Sequence, residues 1–273
     1  MIVLVAFAYF VLGVCFGSFT NVLIYRMPND ISVVKRSKSF CPKCGHEIKW
    51  YDNIPLISYI CLGGKCRNCK EKISIRYPIV ELIGGLIFLT CFFVFGYSAT
   101  WQTLLAALVF SLLLIFAFAI AYIDQISGYI PTSLCVTILI IGLAFIGSDL
   151  YFAITNDTMG QYNDFYDKIV AFCGVIAIFL LIFVVGKVIL GRDPMGLGDV
   201  TLLASLSLSL GTAKLFMVVL FASVLCSIIS VILIGLKKID RGKEIPFGPY
   251  IVAGYFFAIF FGDAIINGIM SLF

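Results

Sequence analysis

Charge is what this 273-residue chain has least of. Only 12% of its residues are Asp, Glu, Lys or Arg, while 62% are hydrophobic, and the mean hydropathy is +1.10. Soluble globular domains carry about 25% charged residues, so a soluble domain is excluded. The sequence also has no repeat at solenoid period and no low-complexity tract, which removes stacked-repeat architectures. No glycine-rich Rossmann fingerprint occurs, so spacing alone offers no nucleotide-type cofactor site. The N-terminus lacks a basic start, and its apolar run continues through "CFGSFTNVLIY" without a small-residue cleavage site. It reads as a membrane anchor rather than a cleaved signal.

What is abundant is apolar runs near the roughly 20 residues that cross a bilayer. Eight are expected, near Met1–Tyr25, Pro78–Tyr97, Thr100–Ile123, Ile130–Gly147, Lys168–Leu190, Val200–Leu210, Thr212–Leu236 and Pro249–Ile266. The sixth is short and carries four serines or threonines, which suits a tilted or half-buried helix with protein neighbours. The fold class is therefore an all-α polytopic membrane protein of about eight transmembrane helices. Eight spans place Arg26–Tyr77, "DQISGY", "GRDPMGLGD" and "KKIDRGKE" on one side, with 17 of the 19 basic residues; Lys168 and Lys214 lie opposite. By the positive-inside rule that basic side faces the cytoplasm.

One segment is polar enough to form a small module. Residues 26–77, between the first helix (1–25) and the transmembrane core (78–273), contain "CPKCGH" and "CRNC". Cys41, Cys44, Cys66 and Cys69 form two CxxC pairs 21 residues apart, the pattern of a four-cysteine zinc ribbon. A pair of disulfides is the other reading, and the cytoplasmic placement disfavours it. His46 and Cys61 lie close by as substitute ligands or bystanders. Four thiolates close a structural site and leave no open catalytic position. Cys15, Cys91, Cys135, Cys173 and Cys226 fall in spans and read as small apolar residues.

In so apolar a chain every membrane-edge acid is a functional candidate. Asp124 closes the third span in "AYIDQISGYIP". It can mark a helix end, although an acid is disfavoured at the negative end of the helix dipole. Asp199, in "MGLGDVTLLA", can serve as an ordinary N-cap. An N-cap alone does not need Gly196 and Gly198, which permit unusual dihedrals and close backbone approach, as for an extended peptide. The orientation puts both aspartates at one membrane face, where a carboxylate pair sharing a proton can activate water for peptide hydrolysis. Glu81 follows "RYPIV" in the first turn of a helix, where an anion is favoured. Asp263 reads as solvated or capping, and Asp193 and Asp240 lie in linkers.

Taken in order, "GSFTNVLIYRMP", "CPKC", "WYDNIPLISY", "CRNC", "RYPIVE", "YIDQISGYIP", "MGLGDV" and "IPFGPY" resemble the type IV prepilin peptidases, including their late-competence relatives. These are membrane aspartic proteases with a GxGD motif. The resemblance implies that Asp124 and Asp199 are the catalytic pair. It implies cleavage of basic leaders from prepilins at the cytoplasmic edge of a bacterial inner membrane. The four-cysteine loop implies the bifunctional form, which N-methylates the exposed residue with S-adenosylmethionine. Matching positions for that activity are Gly17, Ser18, Asn21, Tyr25, Arg26 and Pro28, then Trp50, Tyr51, Asp52, Asn53 and Pro55, then Arg76, Tyr77, Pro78 and Glu81, with Glu81 the leading methyltransfer candidate. The chain departs from the pattern at Thr201, where the family usually carries lysine; Lys187, Arg192 or Lys243 would then supply a cation. A peptidase without methylation, a protease for other membrane helices, and a transporter or sensor with a zinc ribbon are the competing readings.

Overall fold

The computed structural model describes residues 2–33, 39–156, 159–190, 196–238 and 245–271. Its elements are helices α1 (Ile2–Arg26), α2 (Ile57–Cys61), α3 (Arg76–Cys91), α4 (Trp101–Ser127), α5 (Thr132–Asn156), α6 (Met159–Leu190), α7 (Leu197–Ser207), α8 (Thr212–Gly235) and α9 (Gly248–Met270). Six helices among the described residues are long and apolar enough to cross a membrane, and Thr132–Ser148 and Leu197–Ser207 are shorter apolar helices. All eight expected apolar runs are thus helical. In lipid no water satisfies backbone amides, so helices that bond internally are the natural form for such runs.

The chain forms two compact units, Met1–Ala119 and Ile120–Phe273. In the first, α1 packs along α3. Gly13 and Gly17, one turn apart on α1, face Gly84 on α3, and a β-carbon on Gly84 would lie 2.9 Å from the Gly17 Cα. One on Gly17 would lie 2.7 Å from the Glu81 Cα. The two backbones therefore touch, as small-residue seams allow in membranes. Phe16 stacks on Phe88 with ring centroids 5.4 Å apart, and the Tyr9 hydroxyl donates to the Leu104 carbonyl at 2.6 Å.

In the second unit α7 packs against α5, α6 and α9, and α8 packs against α9. Gly254 of α9 sits so close to α8 that a β-carbon there would be 2.7 Å from the Val218 carbonyl oxygen. Phe221 and Phe257 stack beside it, 4.5 Å apart. Asp167 of α6 caps α8 across the helix boundary, accepting from the Thr212 N–H at 3.0 Å. Asp263 stays largely solvated, its side chain 72% exposed, and pairs with Lys214 at 2.8 Å.

The glycine seam gives a direct test. Gly84→Ala is expected to destabilise the protein by about 1–3 kcal/mol, because only a backbone shift can make room. Gly147→Ala, where nothing lies within 4 Å, is expected to be neutral or slightly stabilising. Thermal melting of both variants in detergent checks the contrast.

Candidate active site

Asp124 stands on the last turn of α4 and is only 4% exposed. The chain then reverses through Gly128, whose φ is +63° and whose N–H returns to the Asp124 carbonyl at 2.8 Å. Ile130 and Pro131 lead into α5. Gly198, in the first turn of α7, rests on this reversal: a β-carbon there would be 2.9 Å from the Ile130 Cβ. That contact fixes the first turn of α7 with Asp199 within reach of the Asp124 charge. The two aspartates singled out in the sequence are therefore brought together from α4 and α7.

Of the two roles expected for the glycines around Asp199, Gly198 shows the close approach and neither shows the unusual dihedral. Neither Gly196 nor Gly198 is among the residues with positive φ; Gly196 is extended at φ −67°. Helix α7 begins at Leu197 with Gly196 as its N-cap, so Asp199 lies inside the first turn and does not cap it. Gly198 is needed for packing against Ile130 rather than for an unusual dihedral. Thr201 turns back on its own helix, donating to the Gly198 carbonyl at 2.8 Å, with the Cys135 Sγ 3.8 Å away. Lys187 lies over the Phe183 ring. Arg192, Asp193, Asp240, Lys243 and Met195 lie outside the described residues.

A third contact on Asp124 escaped the sequence reading. Its Oδ2 accepts the backbone N–H of Gly248, the first residue of α9, at 2.9 Å and buried. The only signal for it was the Pro-flanked glycine in "IPFGPY".

The first unit holds a separate cavity of about 970 Å³, lined by α1, α3 and the cysteine loop, with Ser18, Asn21, Tyr25, Asp52, Tyr77 and Glu81 among its walls. That volume suits a small-molecule cofactor. Glu81 is 8% exposed and accepts the Leu56 N–H at 2.7 Å. Leu56 has φ +60° and ψ −51°, and the Ile57 N–H closes back on the Pro55 carbonyl at 2.7 Å. This is a γ-turn with positive φ, a rare and strained form. Asn21 ties α1 to the start of α3 by donating to the Tyr77 carbonyl at 3.0 Å.

The cysteine loop is built from one motif used twice. Cys41 N–H bonds the His46 carbonyl and Cys66 N–H the Glu71 carbonyl, and bridges Phe40–Glu47 and Lys65–Lys72 close each knuckle. Gly45 and Lys70, at equivalent positions, are both left-handed, with φ +70° and +60°. The ligand atoms of Cys41, Cys44, Cys66 and Cys69 lie within 4.8 Å of one another, and the Cys41 and Cys69 sulfurs are 4.0 Å apart. Tetrahedral thiolates at the Zn–S distance would be about 3.8 Å apart, so the four cysteines fit a metal ion. The His46 N–H, bonded to the Cys44 sulfur, brings that thiol down to about 7, and the Cys69 and Asn68 N–H groups lower Cys66. Such donors favour those two thiolates, while desolvation and the neighbouring thiols push Cys69 up to about 11. His46 and Cys61 are outside this cluster. Arg67, inside the second knuckle, grips Asp52 with two hydrogen bonds of 2.8 and 2.7 Å. It holds the Asp52 carboxyl below the usual carboxylate range.

Both halves of the chain match family models. Residues 11–95 match the bacterial peptidase A24 N-terminal domain, and residues 111–231 match the type IV leader peptidase family. A Pseudomonas aeruginosa protein named prepilin leader peptidase/N-methyltransferase is 32% identical over 277 residues, covering 93% of this chain and 89% of its own length. The chain belongs to the type IV leader peptidase family. Family members of the same name from Stutzerimonas stutzeri, 33% identical over 93% of this chain and 90% of theirs, and Myxococcus xanthus, 37% identical over 82% of it, are also similar. The chain spans 62% of the Myxococcus relative's length. No solved structure matches the chain significantly.

If Gly198 holds α7 to the α4–α5 turn, Gly198→Ala should destabilise by about 1–3 kcal/mol. Gly196→Ala should cost less, about 0.5 kcal/mol or below, because its β-carbon would meet only the Asp199 Oδ2, at 3.3 Å. Paired melting curves check the order of the two.

Proposed function

We propose that this chain cuts the basic leader peptide from type IV prepilins at the cytoplasmic edge of the membrane and N-methylates the residue it exposes. The observation carrying the peptidase half is the meeting of Asp124 and Asp199 at the end of α4 and the start of α7. Two adjacent carboxylates cannot readily both ionise, so one proton is shared between them. The ionised member takes a proton from water, whose oxygen attacks the scissile carbonyl carbon. The protonated member meanwhile gives its proton to the carbonyl oxygen. The tetrahedral adduct collapses, the C–N bond breaks, and the leaving nitrogen receives a proton from the pair. The leader departs with a new carboxylate, and the pilin keeps a free α-amine.

That amine is the methyl acceptor. The cavity beside Glu81 supports a methyl-transfer role for the first unit, with Ser18, Asn21, Tyr25 and Asp52 as residues that would hold S-adenosylmethionine. When bound, this cofactor supplies an electrophilic methyl group. Glu81, fixed by the Leu56 N–H, would orient the amine and take the proton it releases. The four thiolates would hold one structural Zn²⁺ and close the loop that forms one wall of the cavity. The concentration of 17 of 19 basic residues on the side of the cysteine loop supports a cytoplasmic site.

Cleavage and methylation of a prepilin in proteoliposomes, both read by mass, separate the two activities. Asp124→Asn and Asp199→Asn should each lower cleavage about a thousand-fold or more. Glu81→Gln should leave cleavage intact and lower methylation about a hundred-fold. Cleavage surviving both Asn changes would sink the peptidase reading, and an unmethylated product from the unaltered protein would sink the bifunctional one. For the metal, elemental analysis of the purified protein should find one zinc per chain, lost in Cys44→Ser.

A further inference from the structure

We infer that Gly248 is a positioning residue for the cleavage reaction, its backbone N–H holding Asp124 in its working orientation. This rests on the reading of Asp124 and Asp199 as the hydrolytic pair, and it adds a third partner from α9.

The start of a helix leaves its first N–H groups without intrahelical acceptors. At α9 that supply is nearly used up. The Tyr250 and Ile251 N–H groups both bond the Phe247 carbonyl, at 3.0 and 3.2 Å. Pro249 has no N–H. Gly248 therefore carries the free amide of this first turn, and it donates to the Asp124 Oδ2 at 2.9 Å in a buried setting. A backbone N–H can only donate, so that oxygen is kept as an acceptor. The other oxygen is left for water or for the proton shared with Asp199, which lies within reach of the Asp124 charge.

The side chain matters as much as the amide. A β-carbon at position 248 would stand 2.7 Å from the same Oδ2, so any other residue would push the carboxylate aside. The donor itself is firmly placed. Ile251 and Tyr255 are fully buried, the Tyr255 hydroxyl shares a 2.8 Å hydrogen bond with Ser209 just beyond α7, and Gly254 seats α9 on the α8 backbone. The helix that carries the donor thus leans on the segment that carries Asp199.

Replacing Gly248 by glycolate, which swaps the amide for an ester, deletes the N–H with almost no change of shape. Prepilin cleavage by this full-length variant should show a kcat about 10- to 100-fold lower, the size of a lost hydrogen bond to a charged group. KM should stay within about twofold, and the melting temperature should stay near that of the parent. Gly248→Ala, which keeps the N–H but crowds Oδ2, should also lower kcat with KM little changed. A native kcat in either variant overturns the assignment, as does a loss confined to KM. Asp124→Asn serves as the reference. If it still cleaves, the two-carboxylate reading fails; if it is inactive while the ester runs at the native rate, only the role of Gly248 fails.

Discussion

Lipid offers two apolar helices no hydrophobic gain for meeting, so something other than oily surface has to hold them in register. Here that constraint is met by bringing backbone against backbone at a few glycines. Gly13, Gly17 and Gly84 join α1 to α3. Gly254 joins α9 to α8 in the same way, while Gly198 brings α7 onto the Ile130 side chain in the α4–α5 turn. Two of these contacts also place a carboxylate proposed for the chemistry. The Gly17 contact falls on the Glu81 backbone, and the Gly198 contact stands one residue from Asp199. Removing the β-carbon is how the fold gains both adhesion and precision of placement.

The second demand is to keep a buried acid supplied with donors. Glu81 receives the Leu56 N–H from a loop, and Asp124 receives the Gly248 N–H from a helix start. In both cases a main-chain N–H donates, joined at Glu81 by the Ser18 hydroxyl, rather than a lysine or arginine. A main-chain N–H orients a carboxylate without neutralising it, and it cannot swing away. That suits the proton-trading roles proposed for both groups, and it fits a chain in which Thr201 folds back on its own helix where the family usually has a lysine.

Much of this was legible in the sequence. Hydropathy gave all eight apolar helices, because length and polarity decide what lipid admits. The paired CxxC spacing gave the thiol cluster, since two short chelate loops leave little geometric freedom. Asp124 and Asp199 stood out because acids are rare in such surroundings. The rest depended on contacts between distant residues. Nothing local says that Gly198 faces Ile130 or that Gly248 reaches Asp124, 124 positions earlier. The N-cap reading of Asp199 missed because the helix starts three residues earlier than its hydrophobic run suggests.

The doubled knuckle also has a topological side. Cys44 and Cys66 bracket residues 45–65, and once the four thiolates share an ion that stretch becomes a closed ring hung from one point. The strained turn at Leu56 lies within it. Ring closure removes most of the unfolded freedom that such a strained turn would otherwise relax into. The Arg67–Asp52 fork then fastens a second point across the ring. An amide aimed at Glu81 is in this sense held by a buckle and a strap, rather than by the weak preferences of a short helix of five residues.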